Sequence, residues 1–155
     1  MAARKILLAY NHASHDKKAL SFVIEAFANR EEVQVTLINV YAPLPRIDMA
    51  SSPEMSKIRD RLAGLQAELE ERESVLKSTR EHLLQNGFRE DQVDYVFKQR
   101  EHSIPEEILE IAKKKHYDVL VLSGRESGRV SRMLSRSVHE RILGSVSGIT
   151  VCIAK

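Results

Sequence analysis

Short, densely apolar runs alternate along this chain with longer stretches in which apolar residues return at helical spacing. Ile6 to Tyr10 is the first run, and Asn11-His12-Ala13-Ser14 ends it. Ser14 is placed to cap a helix whose Leu20, Val23, Ile24 and Phe27 share one face, because a serine oxygen satisfies a free amide at a helix start. Val33, Val35, Leu37, Ile38 and Val40 form a second, β-branched run that Pro43 and Pro45 close. Strand, helix and strand in that order predict a right-handed parallel crossover.

Pro43 to Ser52 reads as a loop, and Ser51, Pro53 and Glu54 are a helix-start signal. A long helix over 53–86 follows. Leu62, Leu69, Leu76 and Leu83 recur every seventh residue with Ile58 and Leu65 between them, while Arg72 and Thr79 interrupt the second row. Two readings stay open: an amphipathic helix laid on a sheet and bent near Gly64, with the leucines as core, or a coiled-coil partner face. The first is preferred because few heptads keep both rows apolar, and the helix is long enough to bend or overhang. Asn86-Gly87 marks its end.

Val93, Tyr95 and Phe97 suggest a third strand near a sheet edge, since one of its faces is partly polar. A helix opens at Pro105, carrying Ile108, Ile111 and Ala112, with Glu106 and Glu107 in its first turn and Lys113 to Lys115 in its last, as the helix dipole favours. Val119 to Leu122 reads as a fully buried strand closed by Ser123-Gly124. Behind it a helical stripe of Val130, Met133, Leu134, Val138 and Ile142 runs to Gly144, and Ile149 to Ala154 forms the last strand. The expected fold is α/β: one domain over 1–155, an open, Rossmann-like sandwich with a five-stranded parallel sheet and helices on both faces.

Composition narrows the function. A chain of 155 residues, 43% hydrophobic and 30% charged, can bury one core, and a net charge of +2 gives no general footprint for nucleic acid. No apolar stretch approaches the roughly 20 residues that span a bilayer, and Met1 to His12 lacks a secretory signal, which points away from membranes and towards a cytoplasmic protein. Cys152, the single cysteine, lies in an apolar run, so a buried thiol is expected rather than a nucleophile. His12 and His15 have no third ligand nearby and read as surface histidines, so no metal is expected. No Gly-x-Ser-x-Gly elbow, Cys-x-x-Cys pair or Gly-Lys-Ser phosphate loop is present, and an enzyme is not expected.

Several stretches together resemble the universal stress protein family: the opening ILLAYN with the Ser and Ala-Leu that follow, LINVY at the end of the second run, PEEILEIAKKKHYDVLVLS, and SVHERIL before the last strand. The resemblance implies a dimer, often paired through the last strand. In some members it also implies an ATP site, built from an aspartate after the first strand and the pattern Gly, two residues, Gly, nine residues, Gly, then Ser or Thr.

This chain departs from that pattern. With Ser137-Val138 at the end of the motif, its glycines fall on Ser123, Glu126 and Arg136 and its aspartate on Asn11. The resemblance thus places a vestigial or altered nucleotide site at Asn11, Val40, Ser123, Glu126, Arg136, Ser137 and Val138. Side chains at glycine positions crowd a polyphosphate, and Glu126 opposes its charge, so the expectation is a site that Glu126 and Arg136 fill by pairing with each other. Gly124, Gly128 and Gly144 imitate the motif, but fifteen residues separate the last two.

Two functions remain open. One is a non-enzymatic homodimer acting in stress response through contacts with an unknown protein partner, with no cofactor. The other is a nucleotide- or anion-binding regulator that takes ATP with magnesium through Ser123 to Ser137, using Arg125, Arg129, Arg132, Arg136 and Arg141, unless those arginines form only a solvated helix face.

Overall fold

A computed structural model of the chain describes residues 3–10, 16–45, 55–123 and 148–154. The elements run β1 (Arg4–Ala9), α1 (Asp16–Phe27), β2 (Val33–Tyr41), α2 (Met55–Gln85), β3 (Val93–Gln99), α3 (Ile104–Lys114), β4 (Val119–Ser123) and β5 (Thr150–Ala154). All strand pairs are parallel, in the order β3-β2-β1-β4-β5. The expected five-stranded parallel α/β sheet is therefore observed, with β3 at one edge and β5 at the other. The helical stripe expected from Val130 to Ile142, and the helix start at Ser51 and Pro53, lie outside the described residues.

Side-chain alternation divides the interior in two. Ile6, Leu8, Val35, Leu37 and Val121 point to one face, where Leu20 and Val23 of α1 and Leu76 and Leu83 of α2 cover them. Leu7, Ile38, Val40 and Leu120 point to the other, under Ile108, Ile111 and Ala112 of α3. Burial on both faces explains why these strands read as unbroken apolar runs.

Helix ends follow local chemistry. Ser103 caps α3, its Oγ accepting from the Glu106 amide at 3.3 Å, with Pro105 in the first turn where no amide partner is needed. At the end of α2 the Phe88 amide bonds back to the Leu83 carbonyl at 3.3 Å through Gly87, whose φ of 101° suits glycine alone. A β-carbon there would also stand 2.9 Å from Asn29 Oδ1.

The leucines of α2 do not all become core. The helix has 31 residues, or about 46 Å at about 1.5 Å each, whereas the seven residues of β3 span roughly 23 Å. Leu76 and Leu83 lie over the sheet, fully buried. Leu62, Leu65 and Leu69 are only half-buried and belong to neither core cluster, and Ile58 is exposed. The helix runs unbroken through Gly64 and overhangs the sheet. Thr79, one interruption of the row, is buried because its hydroxyl donates back to the Val75 carbonyl at 2.8 Å.

The two halves of α2 should respond differently to truncation. Leu76→Ala is expected to cost about 2–5 kcal/mol of folding stability, and Leu62→Ala under about 1 kcal/mol, measured by urea denaturation.

Candidate functional site

Parallel strands bring all carboxyl ends to one edge of the sheet, and the strand order reverses at β1. From there β2 and β3 lead one way while β4 and β5 lie on the other side. Connections part at such a point, leaving a crevice beyond the ends of β1 and β4 where open α/β sheets take their ligands. Tyr10, Ser123 and the first turn of α1 surround it.

Among the described residues, Asp16 places a carboxylate at this crevice. It opens α1, is almost wholly buried, and its Oδ1 accepts a hydrogen bond from the Ser123 hydroxyl at the end of β4. The carboxylate also sits at the positive end of the α1 dipole, the position at which a helix would otherwise receive a phosphate.

A second buried polar group lies near the carboxyl end of β2. Asn39 is fully buried; its Nδ2 donates to the Tyr10 carbonyl at 2.8 Å, and its Oδ1 accepts from Arg72 Nη2 at 3.0 Å. The guanidinium has no acceptor, so it fixes the amide orientation and leaves Nδ2 for the carbonyl. Arg72 is thus the other interruption of the leucine rows, a polar anchor at the place where α2 leaves the sheet.

At the same edge Glu107 orders the turn after β3. Its Oε1 accepts from the amides of Glu101 at 2.9 Å and His102 at 3.0 Å, while Oε2 lies 2.7 Å from Lys98 Nζ. The Lys98 ammonium, aided by the two amides, holds this buried carboxyl down to about 2 against the cost of desolvation.

Of the residues the sequence points to, Ser123 stands at the crevice and Val40 is buried on the α3 face at the end of β2. Asn11, Glu126, Arg136, Ser137 and Val138 lie outside the described residues, as do His12, His15 and Arg125 to Arg141. The expected pairing of Glu126 with Arg136 falls there too. Sequence reading missed Asp16, although its spacing of four from Leu20 and seven from Val23 puts a carboxylate on the buried face of α1. Asn39 could have been found as the polar residue inside a doubly buried strand. Cys152 is half-buried, not fully buried, because β5 is an edge. Among the described residues no His, Cys, Asp and Glu cluster suits a metal ion, and no helix is long and apolar enough to cross a membrane.

The sequence profile described as the universal stress protein family matches residues 2–151. No curated protein matches the sequence significantly. Among solved structures, the chain is similar to the hypothetical protein MJ0577, at 21% identity and a TM-score of 0.70 over 100% of this chain and 97% of that one. It is also similar to the universal stress protein UspA from Lactobacillus plantarum, at 14% identity and a TM-score of 0.70, over 100% of this chain and 99% of the other. A third is the universal stress protein from Archaeoglobus fulgidus in complex with dAMP, at 13% identity and a TM-score of 0.60 over the whole of both chains.

Because the Glu107 carboxyl titrates lower when folded than the ordinary 4.5, its contribution to stability is complete above that value and is lost as pH falls towards about 2. Glu107→Gln should therefore lower the unfolding midpoint at neutral pH, and the gap from the unmodified protein should narrow as acid is added. Thermal melts across that pH window check this.

Proposed function

The chain belongs to the universal stress protein family, and from that premise we propose that it is a non-enzymatic stress-response protein that does not bind ATP and acts as a homodimer through protein contacts. The carrying observation is the Asp16–Ser123 hydrogen bond across the crevice. A buried carboxylate at the start of α1 uses the donor that a phosphate would need and repels a second anion. The altered motif residues Glu126 and Arg136 act in the same direction, since glycine at their positions would leave room for a polyphosphate.

The dimer reading rests on β5. Its outer edge faces no strand of the described chain, its Ile153 is 38% exposed, and Phe22 of α1 is 37% exposed beside a shallow groove lined by Lys17, Lys18, Ser21, Glu25 and Ala154. A matching strand from a second copy would cover that edge. The Thr150 amide donates at 2.9 Å to Asp118 of the same chain, so by alternation the outward amides are those of Val151 and Ile153.

The second reading, a nucleotide-binding regulator, is favoured by the dAMP complex of the Archaeoglobus fulgidus protein. In this chain it would use Ser123 to Ser137 and require Asp16 to give way.

Titration calorimetry with ATP and magnesium should show no heat of binding at sub-millimolar concentration, and Asp16→Ala combined with Glu126→Gly and Arg136→Gly should create or strengthen binding. Tight ATP binding by the unmodified protein would favour the second reading. For the dimer, light scattering of dilute protein should give twice the 17.6 kDa chain mass. In dilute solution Ile153→Pro should reduce it to the single-chain value, whereas Thr150→Pro should instead weaken the fold.

A further inference from the structure

The overhanging half of α2 presents a stripe that the sheet does not cover. In heptad terms Ile58, Leu62, Leu65, Leu69, Arg72, Leu76, Thr79 and Leu83 form one continuous face. From Arg72 onward that face is occupied: Arg72 bonds Asn39, and Leu76, Thr79 and Leu83 are buried. Before Arg72 it holds four apolar residues outside both core clusters of the described residues, with Arg61 and Glu68 exposed on its flank. Neither of these charges has an ion-pair partner among the described residues.

We infer that this stripe pairs antiparallel with the same stripe of a second copy, forming an interface separate from β5. Three features select that occupant and that direction. In an antiparallel pair centred between Ala63 and Gly64, Leu62 faces Leu65 of the copy and Ile58 faces Leu69, so every apolar position meets another. The same alignment sets Arg61 beside Glu68 of the copy, twice by symmetry, and opposite charges flanking such a seam fix partner and direction. It also sets Arg72, where the sheet takes over the face, opposite Met55, where α2 begins. The free length of helix is therefore the length the pair uses. A parallel pair would place residue 72 beside residue 72 and drive each helix into the other copy's sheet, and it would set Glu68 against Glu73.

The full chain with Cys152→Ser, Arg61→Cys and Glu68→Cys should form a disulfide-linked species of twice the chain mass under mild oxidation, and neither single cysteine at 61 or 68 should do so efficiently. In sedimentation velocity with Ile153→Pro present to remove β5 pairing, Arg61→Glu should weaken self-association by roughly tenfold or more, and Arg61→Glu with Glu68→Arg should restore it. A chain that stays monomeric in the Ile153→Pro background even at the highest attainable concentration, or association that Arg61→Glu does not change, would overturn the inference. So would loss on Arg61→Glu without recovery in the double variant. If Leu65→Asp lowers the unfolding midpoint while the oligomeric mass stays the same, the stripe is covered by its own chain and the inference is likewise overturned. Because β5 pairing is blocked in the sedimentation arms, their outcome is independent of the proposed edge-strand dimer.

Discussion

A sheet whose strands all run the same way carries every strand's carboxyl end to one edge, and reversing the strand order at β1 opens a crevice in that edge. Three of the polar residues buried in the described chain, Asp16, Asn39 and Glu107, gather at that edge. Asp16 and Ser123 meet across the crevice, Asn39 ties the end of β1 to α2, and Glu107 holds the turn after β3. Polar groups at these depths are tolerated only when paired, so each one fixes a connection that apolar packing alone would leave loose.

The same constraint explains how α2 behaves. A helix on a sheet can bury only as much of its face as the strands are long, and β2 and β3 end well before α2 does. The apolar repeat nonetheless continues past Arg72. A repeat kept beyond the reach of its own core has to meet something else, and its charges are arranged to meet a copy of itself.

Fold was legible because periodicity reports it directly. The apolar runs at Ile6, Val35 and Val119, the helix opening at Pro105, the cap at Gly87, and the partly polar third strand each follow from local physics that tertiary context did not override. Of the heptad leucines, Leu76 and Leu83 are core as expected, whereas Leu62 and Leu69 were misjudged, because spacing says which side of a helix is apolar and nothing about how far the opposing sheet extends. The site was harder still. Its key contact joins residues 107 positions apart, Asp16 and Ser123, and no local pattern links an aspartate in one helix to a serine ending a later strand. Asn39 and Arg72 form a similar long-range pair, visible in sequence only as two separate violations of apolar pattern.

The central claim is that the protein's own carboxylate holds the phosphate position of the crevice. Native mass spectrometry of the protein incubated with AMP or ATP, each with magnesium, tests it most directly. The account predicts masses of the bare chain and its oligomers for the unmodified protein, with a nucleotide adduct emerging once Asp16 is replaced by alanine and Glu126 and Arg136 by glycine. A stoichiometric nucleotide adduct on the unmodified protein, undiminished by desalting, would contradict it.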